Sequence, residues 1–399
     1  MALYSTSNRG EGPTNGDSFT GGRVRPAAPA VASGLSIIQA RDFFHLNYFP
    51  PPSLAVVAMA YDKELTAAIK AASLAARLCR KVQKGLVQSD VRSKSGRRHQ
   101  SPVTVADYGS QALVSFVLQQ EFPGEFSLIA EEDSNDLRKD GAGAIVERIT
   151  ELVNDFLTSD GSYNVTLSPE DVLKAIDSGK SEGGSQGRHW VLDPVDGTKG
   201  FVRGDQYAVA LALLDRGKVV LGALACPNLP LTPTGVADPH CRKDEVGCLF
   251  FAEVGGGTYM QPLDGSSAVK VQVSGVENPE EASFFESYEA AHSMHDLSSL
   301  IAQKLGVKAA PIRMDSQVKY GALSRGDGSI YLRFPRDGYR EKIWDHAAGS
   351  IVVTEAGGVV TDAEGNPLDF SRGRKSTEPV PTSSSTKNSS FNRCSYVQF

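Results

Sequence analysis

From Lys63 onward apolar positions return with a helical period. Leu65, Ile69, Ala72, Ala76, Cys79 and Leu86 recur at spacings of three, four or seven, as one buried helix face requires. The polar stretch Ser89 to Gln100 interrupts it and leads into an extended segment, Ser101-Pro102-Val103-Thr104-Val105-Ala106-Asp107. A second helix is predicted after that segment, with Leu113, Phe116, Val117 and Gln120 on successive turns. Ser127-Leu128-Ile129-Ala130 reads as a short buried strand ending in Glu131-Glu132-Asp133, and Ile149, Leu152, Val153 and Phe156 mark a third helix. A Ser/Gly-rich loop, Asp177 to Arg188, precedes the strand His189-Trp190-Val191-Leu192. Two long apolar runs follow, Tyr207–Leu214 and Val219–Cys226, joined by Asp215-Arg216-Gly217-Lys218 as a hairpin turn. Leu249–Glu253 and Val269–Val273 read as further strands. Beyond them strands at Ala282–Glu286, Ile330–Phe334 and Val359–Thr361 alternate with helices at Asp296–Leu305 and Ala347–Glu355. Strand-rich and then alternating, the pattern predicts packed α/β layers with mixed sheets, and no internal repeat.

Both ends depart from this pattern. The first sixty residues are rich in Ser, Gly, Pro and Ala, poor in acids, and carry Arg9, Arg23, Arg25 and Arg41. That composition suits an organelle transit peptide for plastid or mitochondrion, with Val57-Ala58-Met59-Ala60 as processing region, or else an unstructured extension with Met59 as an alternative start and a cytosolic product. Residues 375–399 are Ser/Thr/Asn/Pro-rich and aperiodic and read as a disordered tail. Between the ends we expect a domain over 61–275 and a second, α/β domain over 276–374.

Composition narrows the function classes. The 399 residues, 40% hydrophobic and 22% charged, are ordinary for a globular protein. A net charge of −6 argues against a nucleic-acid polymer as partner, and no apolar run reaches the ~20 residues of a membrane helix. An anionic small molecule stays admissible, because bound cations reverse the field inside a cleft. Cys79, Cys226, Cys241, Cys248 and Cys394 form no C-x-x-C pair and read as thiols, with a redox role for the middle three left open.

The chemistry is in the carboxylates. Asp193-Pro194-Val195-Asp196-Gly197-Thr198 directly follows an apolar strand. Two carboxylates three residues apart converge when the backbone turns sharply; Pro194 fixes φ and Gly197 permits the turn. Thr198 would then stand near a helix start, where free N–H groups attract phosphate. Asp-Pro and Asp-Gly are also ordinary turn dipeptides. However, Glu131-Glu132 follows another short strand, Asp107 another extended segment, and Asp345 opens a helical stretch. Alone, each would pass for a solvated loop acid or a first-turn acid. Together, with no Cys/His ligand set, they suit hard cations held by oxygen. Two or three magnesium ions, roughly 4 Å apart, would serve in-line phosphoryl transfer.

At this point the chain resembles the inositol-monophosphatase-like superfamily of lithium-sensitive phosphatases. The carrying motifs are Ser101–Asp107, Ala130-Glu131-Glu132, Asp193–Thr198, and Trp344-Asp345-His346-Ala347-Ala348-Gly349 leading to Glu355-Ala356-Gly357-Gly358. Within it the chain is similar to the 3′(2′),5′-bisphosphate nucleotidase branch of plants. The features are Gly200 to Tyr207, Ala291-His292-Ser293, Asp315 to Tyr320 and Tyr331-Leu332-Arg333. The resemblance implies a layered αβαβα sandwich and hydrolysis of the 3′-phosphate of adenosine 3′,5′-bisphosphate. It further implies that Glu131, Asp193, the Val195 carbonyl, Asp196 and Asp345 ligate magnesium, and that Asp107 with Thr198 orients and deprotonates the attacking water. By the same resemblance Gly197 and Thr198 hold the scissile phosphate, while His292, Ser316, Lys319 and Arg333 bind the nucleotide and its second phosphate, with Asp345 also in contact with substrate. An inositol polyphosphate 1-phosphatase is the alternative within enzymes.

After Leu368-Asp369-Phe370-Ser371 the family continues with another apolar strand and helix, where this chain has its polar tail. A missing strand would leave a sheet neighbour unpaired. That motivates a second alternative, a catalytically weak nucleotide-binding protein.

Overall fold

The structure, a computed structural model, describes residues 60–90, 102–232, 245–289, 293–334, 341–374 and 394–397. The expectations for residues 1–59 lie outside them. Helix α1 spans Asp62–Asp90 and opens with Asp62 and Glu64, acids that complement the dipole of its first turn. Its buried face is built of small residues, Ala67, Ala68, Ala71, Ala72, Ala75 and Ala76, which let helix α2 (Pro102–Glu121) approach closely. Helices α3 (Gly143–Asp160) and α4 (Pro169–Asp177) complete this layer. The α4 start is a capping box in which Ser168 and Asp171 satisfy each other's backbone N–H.

The helices cover one face of a seven-stranded sheet in sequential order: β1 (Leu128–Ala130), β2 (Arg188–Asp196), β3 (Ala208–Asp215), β4 (Lys218–Pro230), β5 (Val246–Glu253), β6 (Gly257–Pro262) and β7 (Val269–Val271). Only β1 and β2 pair in parallel. Strand β3 shows why its apolar run is unbroken. Val209, Leu211 and Leu213 face the helical core, whereas Ala208, Ala210, Ala212 and Leu214 face a second core on the other side. Each fully buried leucine there contributes about 1.5–3 kcal/mol. The β3–β4 turn has Arg216 and Gly217 at φ 49° and 74°, the primed geometry of a two-residue hairpin loop.

Between β2 and β3 lies the short helix α5 (Thr198–Arg203). The second core lies between the sheet and helices α7 (Val318–Ser324) and α8 (Ala347–Glu355). Behind them a five-stranded sheet runs β11-β12-β10-β8-β9, from β8 (Phe284–Ser287), β9 (Ile312–Met314), β10 (Ile330–Leu332), β11 (Thr361–Asp362) and β12 (Cys394–Val397). Helix α6 (His295–Leu305) packs on its outer side against Ala282, Phe284, Ile330 and Leu332. The molecule is therefore a layered α+β fold, helix on sheet on helix on sheet on helix. Among the described residues no helix is long and apolar enough to cross a membrane.

Two expectations are corrected. The segment before Asp107 is not extended: α2 begins at Pro102, so Asp107 is a helical residue. The β-branched run Val103-Thr104-Val105 imitates a strand, but proline is well suited to a first helical position and tertiary packing overrides local propensity. The tail is not wholly irregular either. Strand β12 pairs antiparallel with both β10 and β11, so the chain fills the place where a neighbour was expected to be missing.

Candidate active site

Strand β2 departs from regular pairing where it matters. Asp193 stands opposite Ala210 and Asp196 opposite Ala208, three steps on one strand against two on the other. Such a bulge bends the strand and re-aims its side chains. The Val195 amide donates to Asp193 Oδ1 at 3.2 Å, which tightens the turn. Gly197 then takes φ 89° and caps α5. A Cβ on Gly197 would stand 2.8 Å from Ser316 Cβ, so this approach of two loops excludes any side chain. Ser316 itself holds a left-handed φ of 63°.

These loops surround a cavity of about 220 Å³, lined by Glu131, Asp193, Val195, Asp196, Gly197, Thr198, Lys199, Ser287, Glu289, Asp315, Ser316, Arg333 and Asp345. Glu131 comes from the end of β1 and Asp345 from the turn entering α8, where its Oδ2 accepts from the Lys342 amide at 2.8 Å. Asp193 is 2% exposed, whereas solvent reaches Glu131. Thr198 Oγ1 donates to the Val195 carbonyl at 3.4 Å, and the first amides of α5 lie beyond intrahelical bonding.

The carboxylates repel one another. Burial, then the charges of Glu131, Asp196, Asp345 and Asp107, push Asp193 well above the usual carboxylate range. Burial, then Asp345, Glu132 and Asp196, raise Glu131, a shift softened by its solvent access. Asp345 is pushed up to about 7, first by burial and then by Glu341. Asp107, a buried residue of α2, is raised by burial and then by Glu132 and Glu131. Acidic oxygens gathered at this cost, offset only in part by Arg333 at Asp345 and Lys342 at Glu131, are a donor set fitted to a hard divalent cation. Glu341, Asp345 and His346 also stand within 4.8 Å of one another. There, however, His346 Nε2 and Glu341 Oε2 bond each other at 2.7 Å and Glu341 Oε1 accepts from Arg333 Nε at 2.8 Å, so those lone pairs are engaged.

Of the residues assigned to substrate by resemblance, Gly197, Thr198, Ser316, Arg333 and Asp345 line the cavity. Lys319 does not. It is wholly buried beneath Ser316, its ammonium donating to the Met314 and Ser316 carbonyls at 2.8 and 2.7 Å and lying 5.1 Å from the centre of the Tyr331 ring. Burial and then Arg333 depress it to about 7. In this structure Lys319 supports the Ser316 turn from below. His292 lies outside the described residues.

Sequence reasoning missed a charged rim. Lys199 and Arg203 both pair with Glu289, at 3.0 and 2.9 Å, and Arg203 also pairs with Asp205 and Asp315. Arg203 and Asp205 lay within the Gly200 to Tyr207 feature and Asp315 within Asp315 to Tyr320, but no role was assigned to them, and Lys199 and Glu289 are common residue types outside every quoted motif. Glu341 was missed for the same reason, although it is 1% exposed and its carboxylate is drawn down to about 2 by Arg333 and His346 against the opposing effect of burial.

The family model described as the inositol monophosphatase family matches residues 61–389. The chain belongs to that family and is by membership a phosphatase. It is 72% identical over 303 residues, 75% of this chain and 85% of the relative, to 3'(2'),5'-bisphosphate nucleotidase 1 of Arabidopsis thaliana. A 3'(2'),5'-bisphosphate nucleotidase of Oryza sativa is 65% identical over 316 residues, 79% of this chain and 87% of the relative. Among solved structures it is similar to CysQ from Bacteroides thetaiotaomicron, at 18% identity and TM-score 0.49, over 78% of this chain and 93% of that one.

Proposed function

We propose that this chain removes the 3′-phosphate of adenosine 3′,5′-bisphosphate, giving AMP and phosphate, with the corresponding phosphosulfate and inositol 1,4-bisphosphate as secondary substrates. The observation that carries this reading is one cavity lined by Glu131, Asp193, Asp196 and Asp345 together with the buried cation Arg333. The acids suit a phosphate approached with a divalent cation, and the guanidinium suits a second phosphate. The names of the relatives supply the nucleotide.

Glu131, Asp193, the Val195 carbonyl, Asp196 and Asp345 would hold two or three magnesium ions, which would supply charge neutralisation and water activation. The protein's own part is placement. Gly197 and Thr198 present the start of α5 to the scissile phosphate, and the absence of a Cβ at Gly197 leaves room for it. Asp107 and Thr198 orient the attacking water, and Asp107, raised by burial and then by Glu132 and Glu131, accepts its proton. Arg333, locked by Glu341, meets the second phosphate, with Ser316 beside it and His292 as a further contact.

Turnover of the adenosine bisphosphate, inositol 1,4-bisphosphate and AMP side by side tests the reading. The nucleotide bisphosphate should be fastest and AMP inert; preference for the inositol substrate would favour a polyphosphate 1-phosphatase. The catalytically weak alternative rested on a missing sheet neighbour, and the pairing of β12 removes that motive. For residues 1–59 a plastid or mitochondrial address remains our reading of their composition, tested by the location of a fluorescent protein fused behind them.

A further inference from the structure

Arg374 is used by none of the chemistry above, yet it touches the backbone on which that chemistry depends. One nitrogen of its guanidinium, Nη2, donates to the carbonyls of Ala130 and Gly179, at 2.5 and 2.7 Å. Nε reaches the Ser181 carbonyl at 3.4 Å, and the Arg374 amide donates to the Glu182 carbonyl at 2.9 Å. The guanidinium carbon lies 5.1 Å from the centre of the Trp344 ring. Ala130 immediately precedes Glu131, and Trp344 immediately precedes Asp345.

The approach is built for. Gly373 has φ 63°, and a Cβ there would stand 2.1 Å from the Glu182 carbonyl oxygen. Gly183, at φ 68°, would place a Cβ 2.3 Å from Ile129 Cδ1 and 3.3 Å from Gly373 Cα. Two glycines therefore let residues 373–374 lie directly on the loop that edges β1, within reach of the Ala130 carbonyl. A planar fork of donors that also stacks on an aromatic ring is a geometry lysine does not reproduce.

We infer that Arg374 is a positioning residue for the metal centre, tying the backbone beside Glu131 to the ring beside Asp345 and so holding the two carboxylates in register. The inference rests on the proposed assignment of those two acids as magnesium ligands. Glu131 and Asp345 repel each other, so without a tie across their two segments the pair relaxes apart and a cation must draw it together again. A clamp present before binding saves that reorganisation, and outer partners of this kind typically govern metal affinity by about 10–100-fold.

The test is magnesium binding to the full chain without substrate, followed by titration calorimetry and by the metal-dependent rise in Tm. Arg374→Lys keeps the charge and loses the fork; Arg374→Met keeps an apolar stem over Trp344 and loses every donor. Leu157→Ala, a cavity in the helical core, serves as a variant destabilised elsewhere. Both Arg374 variants should bind magnesium about 10-fold or more weakly while Leu157→Ala keeps wild-type affinity. Wild-type affinity in Arg374→Lys, or equal weakening in Leu157→Ala, would overturn the inference. Arg374→Lys carries the test if Arg374→Met does not fold. Absence of saturable binding in the wild-type chain would instead overturn the ligand assignment beneath it.

Discussion

The amide of Gln317 donates to the Oδ2 oxygen of Asp196 at 2.6 Å, joining loops 121 positions apart in the chain. The same Gln317 donates through Nε2 to the Trp344 carbonyl and accepts through Oε1 from the Gly349 amide. One residue thus binds the loop of Asp196, the turn of Asp345 and the start of α8 together. It fixes Asp196 by one oxygen and leaves the other for the cavity, a preorganisation that a bound cation need not supply.

Asp193→Asn removes a carboxylate shared by the whole acidic cluster while keeping its shape. Turnover should fall by more than about 100-fold, beyond the loss typical of outer metal partners. The metal-free variant should be at least as stable as the wild type, because a repelled buried charge is gone. Near-normal turnover in a steady-state assay would remove Asp193 from the site.

Stability without metal should depend on pH in the sense opposite to ordinary acid denaturation. Asp193, Glu131 and Asp345 all have folded pKa values above their unfolded ones, Asp345 near 7. Between about pH 5 and 7 the folded chain therefore holds more protons than the unfolded one, and stability falls as pH rises. Lys319, depressed to about 7, acts oppositely but mainly above that window. Thermal melts in chelator at pH 5.5 and 7 should show the higher Tm at 5.5, and magnesium should shrink or invert the gap; a higher Tm at pH 7 in chelator contradicts the electrostatics.

Gly197→Ala forces a Cβ to within 2.8 Å of Ser316 Cβ at φ 89°. The strain should cost about 1–3 kcal/mol of stability and disturb both the α5 start and the Ser316 turn. A denaturant melt checks the first and kcat the second; an unchanged midpoint would mean the loops separate freely.

Lys319→Met removes the donor beneath Met314 and Ser316. Two buried carbonyls lose a charged partner, and each such bond contributes about 1.5–3 kcal/mol. Because the Ser316 turn faces the proposed second-phosphate end, KM should rise about 10-fold for a bisphosphate and much less for a monophosphate such as 3′-AMP, as each such bond is large enough to allow. Equal effects on both substrates would detach Lys319 from that end.

How far the sequence was legible depended on how local each signal is. The α1 face and the β3–β4 hairpin obey simple periods, and α8 was placed at Ala347–Glu355 as observed. Asp193, Asp196 and Gly197 were legible because a strand, a bulge and an αL glycine lie within six residues. Helix α2 was misjudged at its start because Val103-Thr104-Val105 favours strands locally and only packing decides otherwise. Strand β12 and helix α7 were not seen at all: short elements are fixed by partners distant in sequence, as Ile330 opposite Val397 shows. Lys319 was singled out by motif, but its complete burial is a property of the fold, which motifs do not report.

The central claim is that this cavity releases one particular phosphate with the help of magnesium. The most direct measurement incubates the full chain with adenosine 3′,5′-bisphosphate, with magnesium or with chelator, and resolves the nucleotide products by chromatography. The account predicts AMP, with the 5′-phosphate retained, and only when magnesium is present. Adenosine 3′-monophosphate as product, or equal release in chelator, would contradict it.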